Sequence, residues 1–352
     1  YTIFGGLRTV VITDALQALV LIVGAGVVAV YGLAQVGGWD ALLADLDDDK
    51  LELFRAPDDD VLPWPGILGV VILGLYYWTF NQYFVQRALA ARSLPQGRWG
   101  ALFGGLLKLP NLFLMIVPGL VAAVLYPTLE SPDKAFPTLT FELLPAGLRG
   151  IVLAAMLAAI MSSLDSALNA ASSLVTMDLV RPLRRDMDER ALFLVGRFAT
   201  GAFMVVAAIY APLIAGFGSL FEYFQATLAY LVPPFVAIYL GGLLSPLLSR
   251  RSAFWALLIV EPLAVALFLT TQVFGNWSAI GVPDLHFTYV AIFLVIATLV
   301  VMGLFSLFER AHRRQVDPET TFSVRDLASR DVHRLLDYRL MAALLLLATV
   351  PR

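Results

Sequence analysis

The segment AAIMSSLDSALNAASSL, residues 158–174, places five serine hydroxyls, one carboxylate and one amide inside an apolar stretch. An ionisable side chain within a membrane span is costly and marks a site or a pathway. At about 100° per residue, Ser162, Ser163 and Ser166 fall on one helix face, and Asp165 widens it. Hydroxyl and carboxylate oxygens are hard ligands that suit a hard cation such as Na⁺. Close packing of helices through small residues would also explain the serines, but it would not explain the aspartate.

A second polar group lies upstream in GLYYWTFNQYFVQR, where Tyr77 and Trp78 are followed by Asn81. Tyr and Trp usually form a belt at the membrane interface. These two lie about ten residues before Arg87, which places them roughly 15 Å deeper along a helix. Aromatic faces beside amides suit a polar ligand with apolar faces, such as a sugar ring. The pattern indicates a substrate site near the middle of the membrane.

Asp14, Lys108 and Gln225 also lie within apolar stretches, and each has a simpler alternative explanation. Asp14 lies near the start of its segment, where a carboxylate could stabilise the N-terminal end of a helix. Lys108 could extend its ammonium group to the cytoplasmic surface. Gln225 precedes the helix-breaking pair Pro233 and Pro234 and could bond across helices at a kink. The residues alone leave these alternatives open.

The composition places most of the chain in lipid. Of 352 residues, 59% are hydrophobic and 14% are charged, with a mean hydropathy of +0.81, whereas soluble domains are about a quarter charged. A net charge of −3 without a basic run excludes a nucleic-acid surface. The sequence has no cysteine and no paired nucleophile and base, and its histidines do not form a transition-metal cluster. We therefore expect an all-α polytopic membrane protein that is not an enzyme.

Apolar stretches of about twenty residues predict nine transmembrane helices. Loops rich in Lys and Arg alternate with loops poor in them, so we expect the N-terminal end to be cytoplasmic. The chain begins at Tyr1 and is still hydrophobic at Val350, which suggests a piece cut from a longer protein. The predicted helices cover residues 10–36, 65–89, 100–125, 150–179, 192–214, 220–247, 253–274, 287–308 and a last segment that begins at Leu340.

Three motifs in this order, GGLRTVVITDALQ, LYYWTFNQYFVQRALAARS and AAIMSSLDSALNAASSLVTMDLV, resemble the sodium:solute symporter family and its sodium/glucose cotransporter branch. The resemblance extends over essentially the whole chain. It implies a LeuT-type fold, in which two five-helix repeats of inverted topology surround a site in the middle of the membrane. Residues 1–352 would then be one transmembrane transporter domain, with 1–36 as the last helix of the first repeat, 65–247 as the second repeat and 253–352 as peripheral helices. The helices that should precede Tyr1 would lie outside this sequence.

The resemblance also implies two sodium sites. In the first, the residues matching the family's positions for the coupling ion are the carbonyl of Ala159 and the hydroxyls of Ser162 and Ser163. The second site, found in some members, would involve Asp14, Ser162, Asp165 and Ser166. Position 165 is serine in some members, and a carboxylate there could strengthen the site or accept a proton.

For the substrate, the resemblance assigns Tyr77 to the aromatic position that stacks on a bound sugar as an inner gate, with Trp78 beside it. Lys108 and Gln225 match positions that hydrogen-bond the sugar. Gly74 stands where a galactose-binding relative has asparagine, so the resemblance does not specify the sugar.

The function that this resemblance implies is sodium-coupled import of a sugar or sugar-like polyol by alternating access, in the plasma (inner) membrane. The expected partners are the solute, Na⁺ and the bilayer, and no cofactor is expected beyond Na⁺ as the coupling ion. One alternative is the same fold importing another solute, such as a sialic acid, an amino acid, a vitamin or another organic anion, with Lys108 pairing with a carboxylate. A second alternative is the membrane sensor module of a signalling protein.

Overall fold

A computed structural model describes residues 2–47, 50, 52, 54–214, 219–275, 285–310 and 341–343. These residues form helices and connecting loops, and within them no β-strand occurs beyond one isolated bridge between Arg55 and Pro63. The predicted all-α polytopic class is confirmed. The segment predicted to begin at Leu340 lies almost wholly outside the described residues.

Fifteen α-helices follow one another along the described chain. The first eight are α1 (Thr2–Val36), α2 (Trp39–Asp45), α3 (Ile67–Leu75), α4 (Gln82–Leu89), α5 (Leu94–Leu106), α6 (Leu109–Asn111), α7 (Val117–Leu125) and α8 (Ala135–Thr138). The remaining seven are α9 (Ala146–Leu174), α10 (Arg181–Leu183), α11 (Glu189–Ile214), α12 (Leu220–Leu231), α13 (Pro233–Leu244), α14 (Arg250–Phe268) and α15 (Phe287–Arg310).

Short 3₁₀ and π segments join or extend several of these helices. A π-helical turn adds one residue per hydrogen-bonded ring, and such turns often occur at functional sites. The 3₁₀ segments are Trp64–Gly66 and Pro132–Lys134, and the π segments are Tyr76–Phe80, Leu112–Ile116, Leu139–Leu143, Val175–Val180 and Leu269–Val273.

Six continuous helical stretches in the described chain are long and apolar enough to cross a membrane, and they match six of the predicted spans. The span predicted at 220–247 is a bent pair, α12 and α13, with an angle of 47° between them. Pro233 and Pro234 explain the bend, since proline cannot donate the helical hydrogen bond and its ring clashes with the preceding turn. The six stretches are Leu7–Val36, Leu94–Leu125, Ala146–Leu183, Glu189–Pro212, Arg250–Val273 and Phe287–Glu309.

The span predicted at 65–89 differs from the prediction because its helix is interrupted at Asn81. The apolar helix covers Trp64–Phe80, and Asn81 then adopts an extended backbone with φ −64° and ψ 124°. The Asn81 side-chain oxygen accepts a hydrogen bond from the backbone N–H of Tyr83 at 3.3 Å. A local bond of this kind competes with helical pairing and stabilises the turn between Phe80 and α4.

The chain divides into two compact units, and the first comprises Tyr1–Lys50, Val85–Leu220 and Tyr338–Arg352. In this unit α1 packs lengthwise on α9 and also contacts α7. The close approach of α1 to α9 depends on Gly24, because an added Cβ there would overlap the Cβ of Ala155. The core beside this contact consists of fully buried aliphatic side chains, among them Val28, Ala29, Val121, Leu139 and Val152.

The second unit comprises Leu51–Phe84 and Phe221–Asp337, in which α13, α14 and α15 pack together and α3 lies on α15. Gly69 allows α3 to approach the backbone of Thr288, which an added Cβ would overlap. The buried hydroxyl of Tyr230 accepts a hydrogen bond from Thr271 at 2.9 Å. Around these contacts the core contains Ile72, Val236, Val260, Val290 and Leu294.

The loop that precedes α3 in the second unit is organised by Asp59. The Asp59 carboxylate accepts backbone N–H bonds from Val61 at 2.8 Å and Leu62 at 2.9 Å, and the guanidinium of Arg55 lies 3.3 Å away. These donors, first of all the Leu62 amide, lower the pKa of Asp59 below its ordinary value. The charged carboxylate therefore stabilises the folded loop.

We expect Gly24→Ala to lower the thermal stability of the protein more than Gly26→Ala does. Both substitutions add the same methyl group to α1, but at Gly26 the nearest atom lies 3.7 Å away, in Leu114. The overlap at Gly24 should cost about 1–3 kcal/mol, as overpacking of a core does. Thermal unfolding in detergent, followed by tryptophan fluorescence, measures the difference. Equal melting temperatures would contradict the close packing of α1 on α9.

We expect the Asp59 loop to loosen in acid. A depressed pKa means that the stabilisation is present above the ordinary value of 3.8 and is lost as pH falls through the lower, folded value. Asp59→Asn should therefore speed amide hydrogen exchange over residues 55–63 at neutral pH. It should also remove the loss of protection that protonation of Asp59 causes in this loop at low pH. Asp58→Asn, at an exposed neighbour, is the control and should leave exchange unchanged. An unchanged exchange rate in Asp59→Asn would refute this role.

Candidate functional site

The polar residues of the segment 158–174 lie on α9, which continues unbroken for 29 residues and packs against α1 and α11. Because the helix is regular, residues four apart occupy the same side. Ser166, Asn169 and Ser172 are buried, and Ser162 is half-buried. The predicted polar face is therefore directed partly into the protein and not wholly towards lipid.

Asp14 on α1 contacts this face through two serines. The Ser162 hydroxyl donates to Asp14 Oδ1 at 2.7 Å. The Ser166 Oγ lies 3.3 Å from Asp14 Oδ2 and donates to the Ser162 carbonyl at 2.8 Å. Asp14 and Ser166, both predicted for the second sodium site, are thus brought together by the packing of α1 on α9.

Arg87, which the sequence reasoning treated as a loop charge, forms the cationic part of this cluster. Its Nη2 forms an ion pair with Asp14 Oδ2 and also donates to the hydroxyl of Ser166. The side chains of Arg87 and Asp14 are 29% and 14% exposed, so the pair is largely shielded from solvent. We call Asp14, Arg87, Ser162 and Ser166 the Asp14 cluster. One signal could have identified Arg87: a carboxylate within an apolar helix needs a counter-charge.

Asp165, the third acidic candidate, is not part of the hydrogen bonds of the Asp14 cluster. It precedes Ser166 by one residue and therefore projects about 100° away around α9. Its Oδ2 is buried and has no hydrogen-bond partner among the described residues. Its place in a second sodium site stays a prediction.

The three residues predicted for the first sodium site, Ala159, Ser162 and Ser163, lie on α9. Ala159 is half-buried, and Ser163, one turn further along the same stripe, is exposed. Ser162 donates its proton to Asp14, so its oxygen lone pairs remain available to a cation. The place of these three residues in a first sodium site stays a prediction.

The predicted aromatic site lies in the second unit, at the π segment Tyr76–Phe80. Tyr77 and Trp78 pack edge to face with ring centroids 5.4 Å apart, and each has its centroid 4.9 Å from that of Phe84. The break at Asn81 folds Phe84 back onto these rings, which a continuous helix would not do. Trp78 is 44% exposed, so part of its side chain is not covered by the protein.

The two predicted hydrogen-bonding residues belong to different units. Lys108, in the first unit, is exposed at the turn between α5 and α6, where Pro110 follows. Gln225, in the second unit, is half-buried on α12, about two turns before the bend at Pro233. Their predicted contact with one substrate stays a prediction.

Comparison with known proteins identifies a family to which this chain is similar. The model of the sodium:solute symporter family matches residues 1–260. Sodium/glucose cotransporter 1 of Ovis aries is 32% identical over 359 residues, which covers 88% of this chain and 54% of that protein. Sodium/myo-inositol cotransporter 2 of Mus musculus is 33% identical over 369 residues, covering 92% and 55%. Sodium/glucose cotransporter 4 of Danio rerio is 31% identical over 352 residues, covering 87% and 53%. The chain spans about half the length of these relatives.

We expect the neighbouring serines of α9 to differ in their effect on stability. Ser162→Ala removes a hydrogen bond to a shielded carboxylate and should cost about 1–2 kcal/mol. Ser163→Ala removes an exposed hydroxyl and should change stability by less than about 0.5 kcal/mol. Chemical or thermal unfolding of the two variants in the same detergent measures both values. If Ser163→Ala is the more destabilising of the two, the orientation of α9 is wrong.

Proposed function

Since the chain belongs to the sodium:solute symporter family, we propose that the complete protein is a sodium-coupled symporter that imports a sugar or sugar-like polyol by alternating access. The structural observation behind the proposal is the oxygen-rich stripe of Ala159, Ser162 and Ser163 on α9, within a helical stretch that is long and apolar enough to cross a membrane. The names of the relatives, sodium/glucose and sodium/myo-inositol cotransporters, support the proposed substrate class.

The coupling ion binds at the Ala159–Ser163 stripe in this proposal. Hydroxyl and carbonyl oxygens suit Na⁺, a hard cation with no preference for nitrogen or sulfur ligands. The hydrogen bond from Ser162 to Asp14 fixes the direction of the Ser162 lone pairs. The energy of transport comes from the sodium gradient, so no residue is assigned a catalytic role.

The substrate binds at the aromatic group in this proposal. Glucose and inositol are six-membered rings with hydroxyl edges and less polar faces, and Tyr77 and Trp78 offer aromatic faces for stacking. Lys108 and Gln225 would hydrogen-bond the hydroxyl edges, because an ammonium donates and an amide both donates and accepts. Sodium binding first would favour the conformation in which these groups can meet the sugar.

The fold and orientation of the complete protein form part of the same proposal. Residues 1–36 would be the last helix of a first repeat, 65–247 a second inverted repeat of the LeuT type, and 253–352 peripheral helices. The alternation of basic loops supports a cytoplasmic Tyr1 end. The proposed location is the plasma (inner) membrane. The break at Asn81 and the 47° bend between α12 and α13 are interruptions of the kind that transporters use near their binding sites.

Lys108 supports a second candidate, import of an organic anion by the same mechanism. An exposed ammonium at the end of α5 could pair with a carboxylate as well as bind a hydroxyl. Under this alternative the aromatic group would cover the apolar part of an anionic solute.

The proposal predicts sodium-dependent uptake that depends on Ser163. The full-length protein in proteoliposomes should accumulate labelled glucose or myo-inositol under an inward sodium gradient. Ser163→Ala should raise the sodium concentration for half-maximal uptake about tenfold, which corresponds to roughly 1.4 kcal/mol. Ser173→Ala, which removes a hydroxyl roughly three turns further along α9, is the matched control and should behave as the natural protein.

Competition separates the two solute classes in the same preparation. Excess unlabelled sugar should block uptake, whereas excess sialic acid or amino acid should not. Uptake without a sodium requirement would overturn the coupling, and competition by organic anions but not by sugars would establish the second candidate.

A further inference from the structure

We propose that the guanidinium of Arg87 is the resident cation of the Asp14 carboxylate and competes with sodium for the second sodium site predicted at Asp14 and Ser166. Arg87 would thus determine how many sodium ions the protein binds. The inference rests on the proposed sodium coupling and adds to it a residue that sets the number of ions.

The Asp14 cluster already satisfies its carboxylate. Oδ1 accepts from Ser162 at 2.7 Å, and Oδ2 accepts from Arg87 while Ser166 lies 3.3 Å away. One negative and one positive charge are therefore paired within the cluster, shielded by α1 and α9. A carboxylate in such surroundings needs a counter-charge, and Arg87 provides it.

The guanidinium uses the same oxygens that a sodium ion would need. Nη2 of Arg87 donates both to Asp14 Oδ2 and to the hydroxyl of Ser166, which are two of the oxygens predicted to hold the ion. The single proton of the Ser166 hydroxyl is directed to the Ser162 carbonyl at 2.8 Å, so that carbonyl oxygen is also engaged. Two cations on one carboxylate would also repel each other. Arg87 and sodium therefore exclude each other at this site.

Arginine is suited to a permanent role of this kind. Its guanidinium remains charged at all physiological pH values, and its planar array of N–H groups can bond two acceptors at once. Its side chain is long and 29% exposed, so it can leave the carboxylate without unfolding α4. The natural protein is expected to bind one sodium ion, at the Ala159–Ser163 stripe, and a second only when Arg87 is displaced.

The test counts sodium ions on the purified full-length protein by equilibrium binding of ²²Na⁺ in detergent. The natural protein should bind one ion per chain, and Ser163→Ala should weaken this ion about tenfold. Arg87→Gln should bind two ions, because glutamine leaves the Asp14 charge without a partner. Adding Asp14→Asn to Arg87→Gln should return the count to one. Arg92→Gln removes an exposed arginine five residues further along and is the matched control, with a count of one.

Each result has one meaning. Two ions on the natural protein, or one ion on Arg87→Gln, would overturn the role of Arg87 while leaving sodium coupling intact. No sodium on the natural protein would instead overturn the proposed function. If Arg87→Gln unfolds during purification without sodium, it should be stable in sodium and show a larger sodium-dependent rise in melting temperature than the natural protein. An equal rise in the two proteins would contradict the proposal.

Discussion

The charge of Asp14 within an apolar helix is the constraint on which much of the first unit depends. A carboxylate cannot remain in such a segment without donors and a counter-charge. A donor comes from α9, through Ser162, and the counter-charge comes from Arg87 on α4, which also donates to Ser166 of α9. Three segments far apart in the sequence are therefore fixed relative to one another by one charged group.

Close packing makes this arrangement geometrically possible. Hydroxyl-to-carboxylate distances near 3 Å require the axes of α1 and α9 to approach closely, and Gly24 opposite Ala155 removes the side-chain volume that would prevent it. The polar contact and the small-residue contact lie on the same pair of helices. The sequence left open whether the serines of α9 serve helix packing or a polar site. Both explanations apply, because the packing of α1 on α9 places some of these serines beside the charge of Asp14.

The sequence predicted the fold better than it predicted the contacts of the site. Apolar length predicted eight segments that are helical in the described chain, and Pro233 and Pro234 signalled the bend between α12 and α13. The break at Asn81 carried no proline or glycine signal, since it arises from a local side-chain bond to Tyr83. The pairing of Asp14 with Arg87 joins residues 73 apart in sequence, and periodicity within one helix contains no information about such a pair. The assignments of Ala159, Ser163, Lys108 and Gln225 to ligands depend on the family resemblance and stay predictions.

Ser162 connects the two predicted ion sites, and its chemistry shows how they can influence each other. A hydroxyl has one proton and two lone pairs, so a serine that donates to a carboxylate presents its lone pairs elsewhere. Asp14 accepts the hydrogen bond of the Ser162 hydroxyl, which directs the lone pairs of that oxygen away from Asp14. In the proposed function this oxygen faces the coupling ion beside Ser163, and the negative charge of Asp14 makes it a better ligand. Pairing of Asp14 with Arg87 neutralises part of that charge. Arg87 at the second sodium site therefore makes the Ser162 oxygen a weaker ligand for the coupling ion at the first.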